Sequence, residues 1–262
     1  MKTGSEFHVG IVGLGSMGMG AALSCVRAGL STWGADLNSN ACATLKEAGA
    51  CGGSDNAATF AEKLDALLVL VVNAAQVKQV LFGETGVAQH LKPGTAVMVS
   101  STIASADAQE IATALAGFDL EMLDAPVSGG AVKAANGEMT IMASGSDIAF
   151  ERLAPVLEAV AGKVYRIGAE PGLGSTVKII HQLLAGVHIA AGAEAMALAA
   201  RAGIPLDVMY DVVTNAAGNS WMFENRMRHV VDGDYTPHSA VDIFVKDLGL
   251  VADTAKALHF PL

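Results

Sequence analysis

Short apolar runs alternate with longer amphipathic segments along the first two thirds of the chain. The β-branched and aliphatic runs predict strands at residues 8–12, 32–36, 67–72, 96–99, 120–123 and 139–143. Between them, apolar positions at helical spacing predict helices at residues 17–28, 39–48, 106–115 and 147–160. Strands that alternate with helices indicate βαβ units, and therefore a parallel sheet with both faces covered.

The pattern changes after Gly168. Residues 175–202 predict a single long helix whose apolar and small residues run almost all the way round, so we expect it to be buried on most sides. Helical patterns with short turns follow to the end of the chain. The sequence therefore predicts two domains, an α/β domain at residues 7–168 and an all-α domain with a long central helix at residues 169–262.

Charge and composition exclude several classes of partner. Sixteen Lys and Arg against 26 Asp and Glu give a formal net charge of -10, and no stretch of the chain is basic. We therefore expect no nucleic-acid and no membrane-surface partner. Polar side chains at His181, Gln182, His188 and Glu194 argue against a membrane span within the long helix. Hydrophobic residues make up 52% and charged residues 16%, which favours apolar surface buried against another subunit, as a homodimer or homotetramer.

Three cysteines, Cys25, Cys42 and Cys51, lie in the first fifth of the chain. Their odd number and their spacing match no metal motif, so we predict reduced thiols, a cytoplasmic protein and no metal site. His181 and His188 share a helix face, but no third ligand stands at helical spacing.

A glycine-rich turn follows the first predicted strand and opens the first predicted helix. It consists of Gly13, Leu14, Gly15, Ser16, Met17 and Gly18. The first glycine makes the tight turn, the second lets the backbone approach a pyrophosphate, and the third lets the helix pack closely on the strand. Asp36 ends the second predicted strand, 23 residues after Gly13, where a carboxylate accepts hydrogen bonds from a ribose 2′-hydroxyl and repels a 2′-phosphate. The turn and the acid together predict a Rossmann-type domain that binds NAD in preference to NADP.

Four motifs in order give the chain its resemblance to a known family. They are Gly13-Leu-Gly-Ser-Met-Gly18, Asp124-Ala-Pro-Val-Ser-Gly-Gly130, Gly174-Ser-Thr-Val-Lys178 and Lys246-Asp-Leu248. From about Phe7 to Leu262 the chain resembles the β-hydroxyacid dehydrogenases, which include 3-hydroxyisobutyrate dehydrogenase and tartronate semialdehyde reductase. Members of this family usually continue with a further helical segment beyond the position of Leu262.

The resemblance implies a role for each motif. It assigns the acid end of the substrate to Ser128, Gly129 and Gly130, whose hydroxyl and backbone N–H groups suit a carboxylate. It implies that Lys178 is the general base, because an amine in an apolar setting loses its proton more readily and can then accept the proton of a substrate hydroxyl. Without the resemblance, the first segment reads as a plain turn and Lys178 as a lysine that extends from its helix to solvent.

Further contacts follow from the same resemblance. It places Thr102 beside the nicotinamide, and it assigns Lys246 to cofactor and substrate. Asn73 follows the strand at residues 67–72, and this position at the carboxyl end of a strand predicts that it lies near the cofactor. It also implies that Asp247 contacts the substrate. The segment Asn219-Ser-Trp221 resembles a pocket-lining segment of the family, and it is equally typical of an ordinary helix start.

The chain departs from the family pattern after Lys178. Most relatives carry two asparagines three and four residues further on, whereas this chain has His181 and Gln182. Gln182 donates and accepts hydrogen bonds but reaches further than asparagine, which predicts an altered substrate pocket. His181 is either a second polar contact or a histidine satisfied within a helix interface.

The resemblance is greatest to members that oxidise the 2-hydroxyl of a four-carbon sugar acid, whose extra hydroxyls suit His181 and Gln182. A smaller substrate, 3-hydroxyisobutyrate or tartronate semialdehyde, is the alternative enzyme prediction. A non-catalytic NAD-binding regulatory protein is the alternative of another class, and the presence of both Lys178 and Lys246 argues against it.

Overall fold

The computed structural model describes residues 6–236 and 240–262 and divides into two compact units, Met1–Lys178 and Ile179–Leu262. We call them the α/β unit and the helical unit and describe each by itself. The strands are β1 His8–Val12, β2 Ser31–Ala35, β3 Gly52–Ser54, β4 Ala66–Val69, β5 Ala96–Val99, β6 Glu121–Asp124, β7 Val127–Ser128, β8 Met139–Gly145 and β9 Ala161–Gly168. The helices are α1 Ser16–Arg27, α2 Ser39–Glu47, α3 Ala74–Phe82, α4 Ser105–Ala116, α5 Gly130–Asn136, α6 Asp147–Val160, α7 Leu173–Arg201, α8 Leu206–Thr214, α9 Trp221–Asp232 and α10 Val241–Ala257.

One sheet organises the α/β unit. Its order is β3-β2-β1-β4-β5-β6-β8-β7, and β9 pairs with β8. The strands from β3 to β6 are parallel, as the alternation of strands and helices predicts. The far end differs, because β8 runs antiparallel to both β6 and β7. The link from β6 to β8 contains only β7 and the short α5, and the chain turns back along the sheet instead of crossing over it.

Hydrophobic cores lie on both faces of this sheet. Along β4, Ala66 and Leu68 belong to one core cluster and Leu67 and Val69 to the other, as expected where successive side chains alternate between faces. All four side chains are buried, which explains why this segment reads as one continuous apolar run. The carboxyl ends of the parallel strands therefore meet at one edge of a sheet that is covered on both sides.

Several boundaries differ from the sequence prediction. Strand β4 ends at Val69 and not at Val72, because the next residues turn outward to a helix that the pattern did not predict. Asn73 begins that helix, α3, by accepting a hydrogen bond from the Gln76 N–H at 2.9 Å. Helix α5 and strands β3, β7 and β9 were also absent from the prediction.

The helical unit packs α8 to α10 against the later turns of α7. A small core contains Met196, Phe223 and Met227. At Gly192 an added Cβ would lie 3.2 Å from Phe223, and at Gly186 it would lie 2.8 Å from Leu248, so glycines on α7 allow close helix packing.

The expectation that α7 is buried on most sides is wrong for the single chain. Leu184 is 56% exposed and Leu198 is 70% exposed. The neighbouring helices cover only part of the circumference of α7, which leaves an apolar stripe uncovered.

Among the described residues, one helix, α7, is long and apolar enough to cross a membrane by length and composition alone. Its most apolar window has a mean hydropathy of 1.6, and 28% of that window is buried. Core helices of globular proteins meet the same criteria. The expectation that this segment does not span a membrane rests on its polar residues and stays a prediction.

Candidate active site

The glycine-rich turn between β1 and α1 has the shape of a dinucleotide cradle. Gly13 has a φ of +90°, and a Cβ on it would lie 2.7 Å from the Leu70 carbonyl oxygen. A Cβ on Gly18 would lie 1.7 Å from the Gly13 carbonyl oxygen, so only glycine permits this approach of helix to strand. A Cβ on Gly15 would meet nothing within 4 Å. The turn therefore leaves open space beside Gly15, where the sequence places the pyrophosphate.

The start of α1 is suited to an anion. Gly15 is the N-cap residue, and it has no side chain that could accept a hydrogen bond from the first backbone N–H groups of the helix. The next residue, Ser16, is exposed, while Met17 is partly buried and packs against the core. Exposed N–H groups at a helix N-terminus favour phosphate. The donor set at this turn therefore fits NAD.

Asp36 lies at the end of β2 and is held by two backbone groups. Its Oδ2 accepts a hydrogen bond from the Leu14 N–H at 2.6 Å, and its Oδ1 accepts one from the Asn38 N–H at 2.8 Å. A carboxylate has about four acceptor positions, so two remain for the hydroxyls of a ribose. The Leu14 contact ties the acid directly to the glycine-rich turn.

The ends of β4 and β5 supply the next groups along the same edge. Asn73 uses its side-chain oxygen to cap α3, which leaves its amide nitrogen for other contacts. After β5, Ser100 and Ser101 are buried, and among the described residues neither hydroxyl has a hydrogen-bond partner. Thr102 follows directly. Buried hydroxyls without partners at this edge are expected where a polar ligand completes the site, which also fits NAD.

The segment after β6 is the one predicted to bind the carboxylate of the substrate. Ser128 ends β7, and Gly129 and Gly130 lead into α5 with φ angles of +134° and +73°. A Cβ on Gly130 would meet nothing within 4 Å. Side chains are strained at such φ angles, so glycine is required for this backbone to present its N–H groups.

Asp124, the last residue of β6, holds the start of α7. Its Oδ2 accepts hydrogen bonds from the N–H groups of Gly172 and Ser175, both at 2.8 Å, and from the Ser144 hydroxyl at 3.4 Å. Its Oδ1 accepts a hydrogen bond from the Ser175 hydroxyl at 2.6 Å. Ser144 accepts in turn from the Gly174 N–H at 2.9 Å. Side chains of β6 and β8 therefore cap the first turn of α7.

The environment of Asp124 is closed. The side chain is 0% exposed, and burial raises the pKa of its carboxyl, opposed by the hydrogen bonds from Ser175, Gly172 and Ser144. A Cβ on Gly174 would lie 2.6 Å from the Asp124 carbonyl oxygen, so the helix backbone packs directly on the end of the strand. Lys178 lies three residues after Ser175, close to one turn further along α7, and is only 6% exposed.

In the helical unit, a polar network joins two helices. Gln182 on α7 donates through Nε2 to Asp247 Oδ2 on α10 at 2.5 Å, and these residues are 6% and 2% exposed. Lys246 Nζ lies 2.8 Å from Asp247 Oδ1 as an ion pair without hydrogen-bond alignment. On the other side, His181 Nδ1 lies 3.0 Å from Gln182 Oε1. Because Asp247 takes the amide nitrogen of Gln182, the amide oxygen faces the histidine.

Two groups of residues were absent from the predicted site. Asp124 and Ser175 lie within the motifs that give the family resemblance but have no predicted role, and the sequence predicts no role for the hydroxyls of Ser100 and Ser101. An acidic residue directly after the predicted strand at residues 120–123 is the signal that points to Asp124.

The Asn219 segment is a helix start, since Ser220 caps α9 by accepting from the Phe223 N–H at 3.1 Å. Among the described residues, no three His, Cys, Asp or Glu side chains form a group that could hold a metal.

Two family profiles match the chain. Residues 8–168 match the NAD binding domain of 6-phosphogluconate dehydrogenase, and residues 172–262 match the NAD-binding domain of NADP-dependent 3-hydroxyisobutyrate dehydrogenase.

Individual relatives are also similar over the whole chain. The chain is 99% identical to L-threonate dehydrogenase of Escherichia coli (strain K12) over 262 residues, which are 100% of this chain and 87% of the relative. It is 72% identical to L-threonate dehydrogenase of Pectobacterium atrosepticum over 100% of this chain and 86% of the relative. A crystal structure of 3-hydroxyisobutyrate dehydrogenase from Salmonella typhimurium matches with a TM-score of 0.94 and 80% identity, covering 98% of this chain and 89% of that one.

Proposed function

Because this chain belongs to the β-hydroxyacid dehydrogenase family, we propose that it oxidises the 2-hydroxyl of L-threonate to 2-oxo-tetronate with NAD. The 99% identity to an L-threonate dehydrogenase is the observation that carries the choice of substrate. The family membership itself makes the chain an NAD-dependent hydroxyacid dehydrogenase. When bound, NAD supplies the acceptor for the hydride that leaves the substrate carbon.

Lys178 is the proposed general base. Its burial near the capped start of α7 supports this role, because an amine removed from water holds its proton less firmly and can accept one from a substrate hydroxyl. In the reverse direction the ammonium group would return the proton. Lys178→Ala therefore tests the chemical step and leaves the glycine-rich turn untouched.

The acid end and the hydroxyls of the substrate have separate proposed partners. Ser128, Gly129 and Gly130 would bind the carboxylate through the hydroxyl and backbone N–H groups. Gln182 and His181 would face the substrate hydroxyls. Asp247, buried and bonded to Gln182, would act through Gln182 and Lys246 instead of touching the substrate.

The cofactor contacts are proposals of the same kind. We assign the pyrophosphate to the backbone of the glycine-rich turn, residues 13–18, and the adenosine ribose to Asp36. Asn73 and Thr102, which follow β4 and β5, would lie along the nicotinamide half, and Lys246 is proposed as a further cofactor contact.

Oxidation of 3-hydroxyisobutyrate is the second candidate, favoured by the name of the 80% identical Salmonella structure. The two substrates differ in polarity, because L-threonate carries additional hydroxyls where 3-hydroxyisobutyrate carries a methyl group. The polar pair at positions 181 and 182 supports the sugar acid, since a hydroxyl left without a partner in a closed site is costly.

The experiment compares initial rates of NAD reduction with L-threonate, D-threonate, 3-hydroxyisobutyrate and glycerate at mildly alkaline pH. We expect L-threonate to have the highest kcat/KM. A preference for 3-hydroxyisobutyrate would discard the sugar acid and keep the family. No activity with any of the four, in a protein that binds NAD, would favour the non-catalytic NAD-binding alternative.

An apolar substitution at Gln182 separates the two candidate substrates further. Gln182→Leu removes the amide and keeps a similar volume, so we expect it to lower kcat/KM for L-threonate about 10-fold or more, as for a lost hydrogen bond to a buried group. The variant also removes the amide that donates to Asp247, so kcat/KM for 3-hydroxyisobutyrate should fall as well, but by a clearly smaller factor. Equal losses for both substrates would contradict a role in recognising the hydroxyls.

We also propose a cytoplasmic homodimer or homotetramer assembled through the helical unit. The uncovered apolar stripe of α7, which includes Leu184 and Leu198, supports assembly because such a surface is unfavourable in water. The need for NAD and the cysteines in the reduced form support the cytoplasm. Sedimentation velocity at micromolar concentration tests the assembly, and Leu198→Lys should weaken it; a monomer under these conditions would contradict it. Cell fractionation tests the location.

A further inference from the structure

We propose that Asp124 is a positioning residue that fixes Lys178 relative to the substrate's acid-binding segment. The inference rests on the proposed function, in which Lys178 is the general base. Asp124 stands at the junction of two motifs: it begins the segment that ends at Gly130, and its side chain holds the helix that carries Lys178. One buried side chain therefore connects the segment proposed to bind the substrate carboxylate with the helix that carries the proposed general base.

Hydrogen bonds from the start of α7 to Asp124 and Ser144 define how the helix is attached to the sheet. Oδ2 accepts from the N–H groups of Gly172 and Ser175, and Oδ1 accepts from the Ser175 hydroxyl. Ser144 extends the cap to the Gly174 N–H. Three backbone N–H groups at the start of α7, which have no partner within the helix, are thus satisfied by side chains of the sheet.

Close packing also holds the start of α7 against the ends of the strands. A Cβ on Gly174 would lie 2.5 Å from the Met142 carbonyl oxygen and 2.6 Å from that of Asp124. A Cβ on Gly172, at a φ of +100°, would lie 2.5 Å from the Ser105 hydroxyl. The helix backbone therefore lies directly against the strand ends, and these contacts fix the position of its first turn. Lys178 follows Ser175 by three residues, so the position of its Cα is set by the same contacts.

Position matters because proton transfer requires hydrogen-bond distance between base and hydroxyl. A displacement of about 1 Å in a catalytic group can lower a rate about 100-fold. Asp124→Ala would leave buried N–H groups at the start of α7 without partners, and the first turn would shift or fray to reach water. The turn that shifts is the one directly before the base.

The test compares Asp124→Ala with Asp124→Asn and with a matched control. Asparagine keeps one oxygen to accept from both N–H groups, and its NH₂ group faces the Ser175 hydroxyl, which can accept instead of donate. Ser146→Ala is the control, because Ser146 caps α6 from the same α/β unit by accepting from the Ala149 N–H at 3.1 Å. Ser146→Ala removes the cap of α6, a helix that does not carry Lys178.

We expect Asp124→Ala to lower kcat at least about 100-fold, with NAD affinity within about twofold and KM for the hydroxy acid within about threefold of wild type. Asp124→Asn should restore kcat to within about 10-fold, and Ser146→Ala should keep wild-type kcat despite lower thermal stability. Hydrogen exchange of a peptide covering residues 170–178 should be faster in Asp124→Ala and not in Ser146→Ala.

A kcat within about threefold of wild type in folded Asp124→Ala, or an equal loss of kcat in Ser146→Ala, would overturn the proposal. If Asp124→Ala does not fold, Ser175→Ala and Asp124→Asn replace it: faster exchange with lower kcat in Ser175→Ala supports the proposal, and wild-type values in both variants overturn it. All rates are measured on the hydroxy acid that wild type uses best, with Lys178→Ala alongside. Retained turnover in Lys178→Ala refutes the assignment of the base. The hydrogen-exchange data report separately on whether Asp124 holds the start of α7 in place.

Discussion

Asp36 offers the sharpest prediction about the cofactor. Its carboxylate accepts hydrogen bonds from the Leu14 and Asn38 N–H groups at 2.6 and 2.8 Å, and the remaining acceptor positions are those assigned to the ribose. In Asp36→Asn, the amide oxygen can serve only one of these N–H groups, and the NH₂ group points its hydrogens at the other. The substitution therefore disturbs the turn to which the pyrophosphate is assigned as well as the proposed contact to the ribose.

The magnitude follows from these contacts. A hydrogen bond to a charged group contributes about 1.5–3 kcal/mol, so the loss of one corresponds to a Kd for NAD raised about 10-fold to 150-fold. For NADP the loss is smaller, because removal of the negative charge relieves repulsion of the 2′-phosphate. We expect the ratio of kcat/KM for NAD to that for NADP to fall at least about 10-fold.

The assay measures kcat/KM for both cofactors at saturating hydroxy acid. Asp65→Asn is the matched control, since Asp65 Oδ2 accepts from the His8 N–H at 2.8 Å, beside the start of β1 and away from its carboxyl end. It breaks the same type of bond and should leave the cofactor ratio unchanged. An unchanged ratio in Asp36→Asn, or an equal change in both variants, would refute the assignment of Asp36 to the ribose.

Three further predictions test the glycine-rich turn and the thiols. Gly18→Ala, whose Cβ would lie 1.7 Å from the Gly13 carbonyl oxygen, should lower the melting temperature and abolish NAD binding, and calorimetry showing wild-type values would contradict the close approach. Gly15→Ala, whose Cβ meets nothing within 4 Å, should keep the wild-type melting temperature yet weaken NAD binding about 10-fold or more, and titration that shows unchanged affinity would place the pyrophosphate elsewhere. With a thiol reagent near pH 8, Cys51 should react at once, whereas Cys25, buried with a pKa raised to about 12, should react only after unfolding; two or three fast thiols in the native protein would contradict the burial.

Local signals were sufficient to predict the first strand, the glycine-rich turn and the acid that follows the second strand. The strand at residues 8–12, the glycine turn and Asp36 lie close together in sequence, and each has a composition typical of its role. Sequence pattern alone therefore predicts this part of the fold, and the cofactor contacts assigned to it stay a prediction. The end of β4 was predicted too late, because Leu70 to Val72 are as apolar as the strand but lie beyond its last pairing.

Contacts between distant segments could not be predicted in the same way. Asp124 meets Gly172 and Ser175 only because β6 and the start of α7 come together across some 50 residues of chain. Strand β9 has no buried residue and is held in the sheet by pairing with β8, so periodicity gave no signal for it. The link between Gln182 and Asp247 likewise joins two helices far apart in sequence.

The central claim is that a buried lysine at the capped start of α7 removes the proton of a hydroxy acid while NAD takes the hydride. The most direct measurement is the initial rate of NADH formation from L-threonate by wild type and by Lys178→Ala, with NAD affinity determined on the same samples. The account predicts NADH formation by wild type, at least about a 100-fold lower kcat in the variant, and equal NAD affinity in both. A variant that turns over L-threonate at the wild-type rate would contradict it.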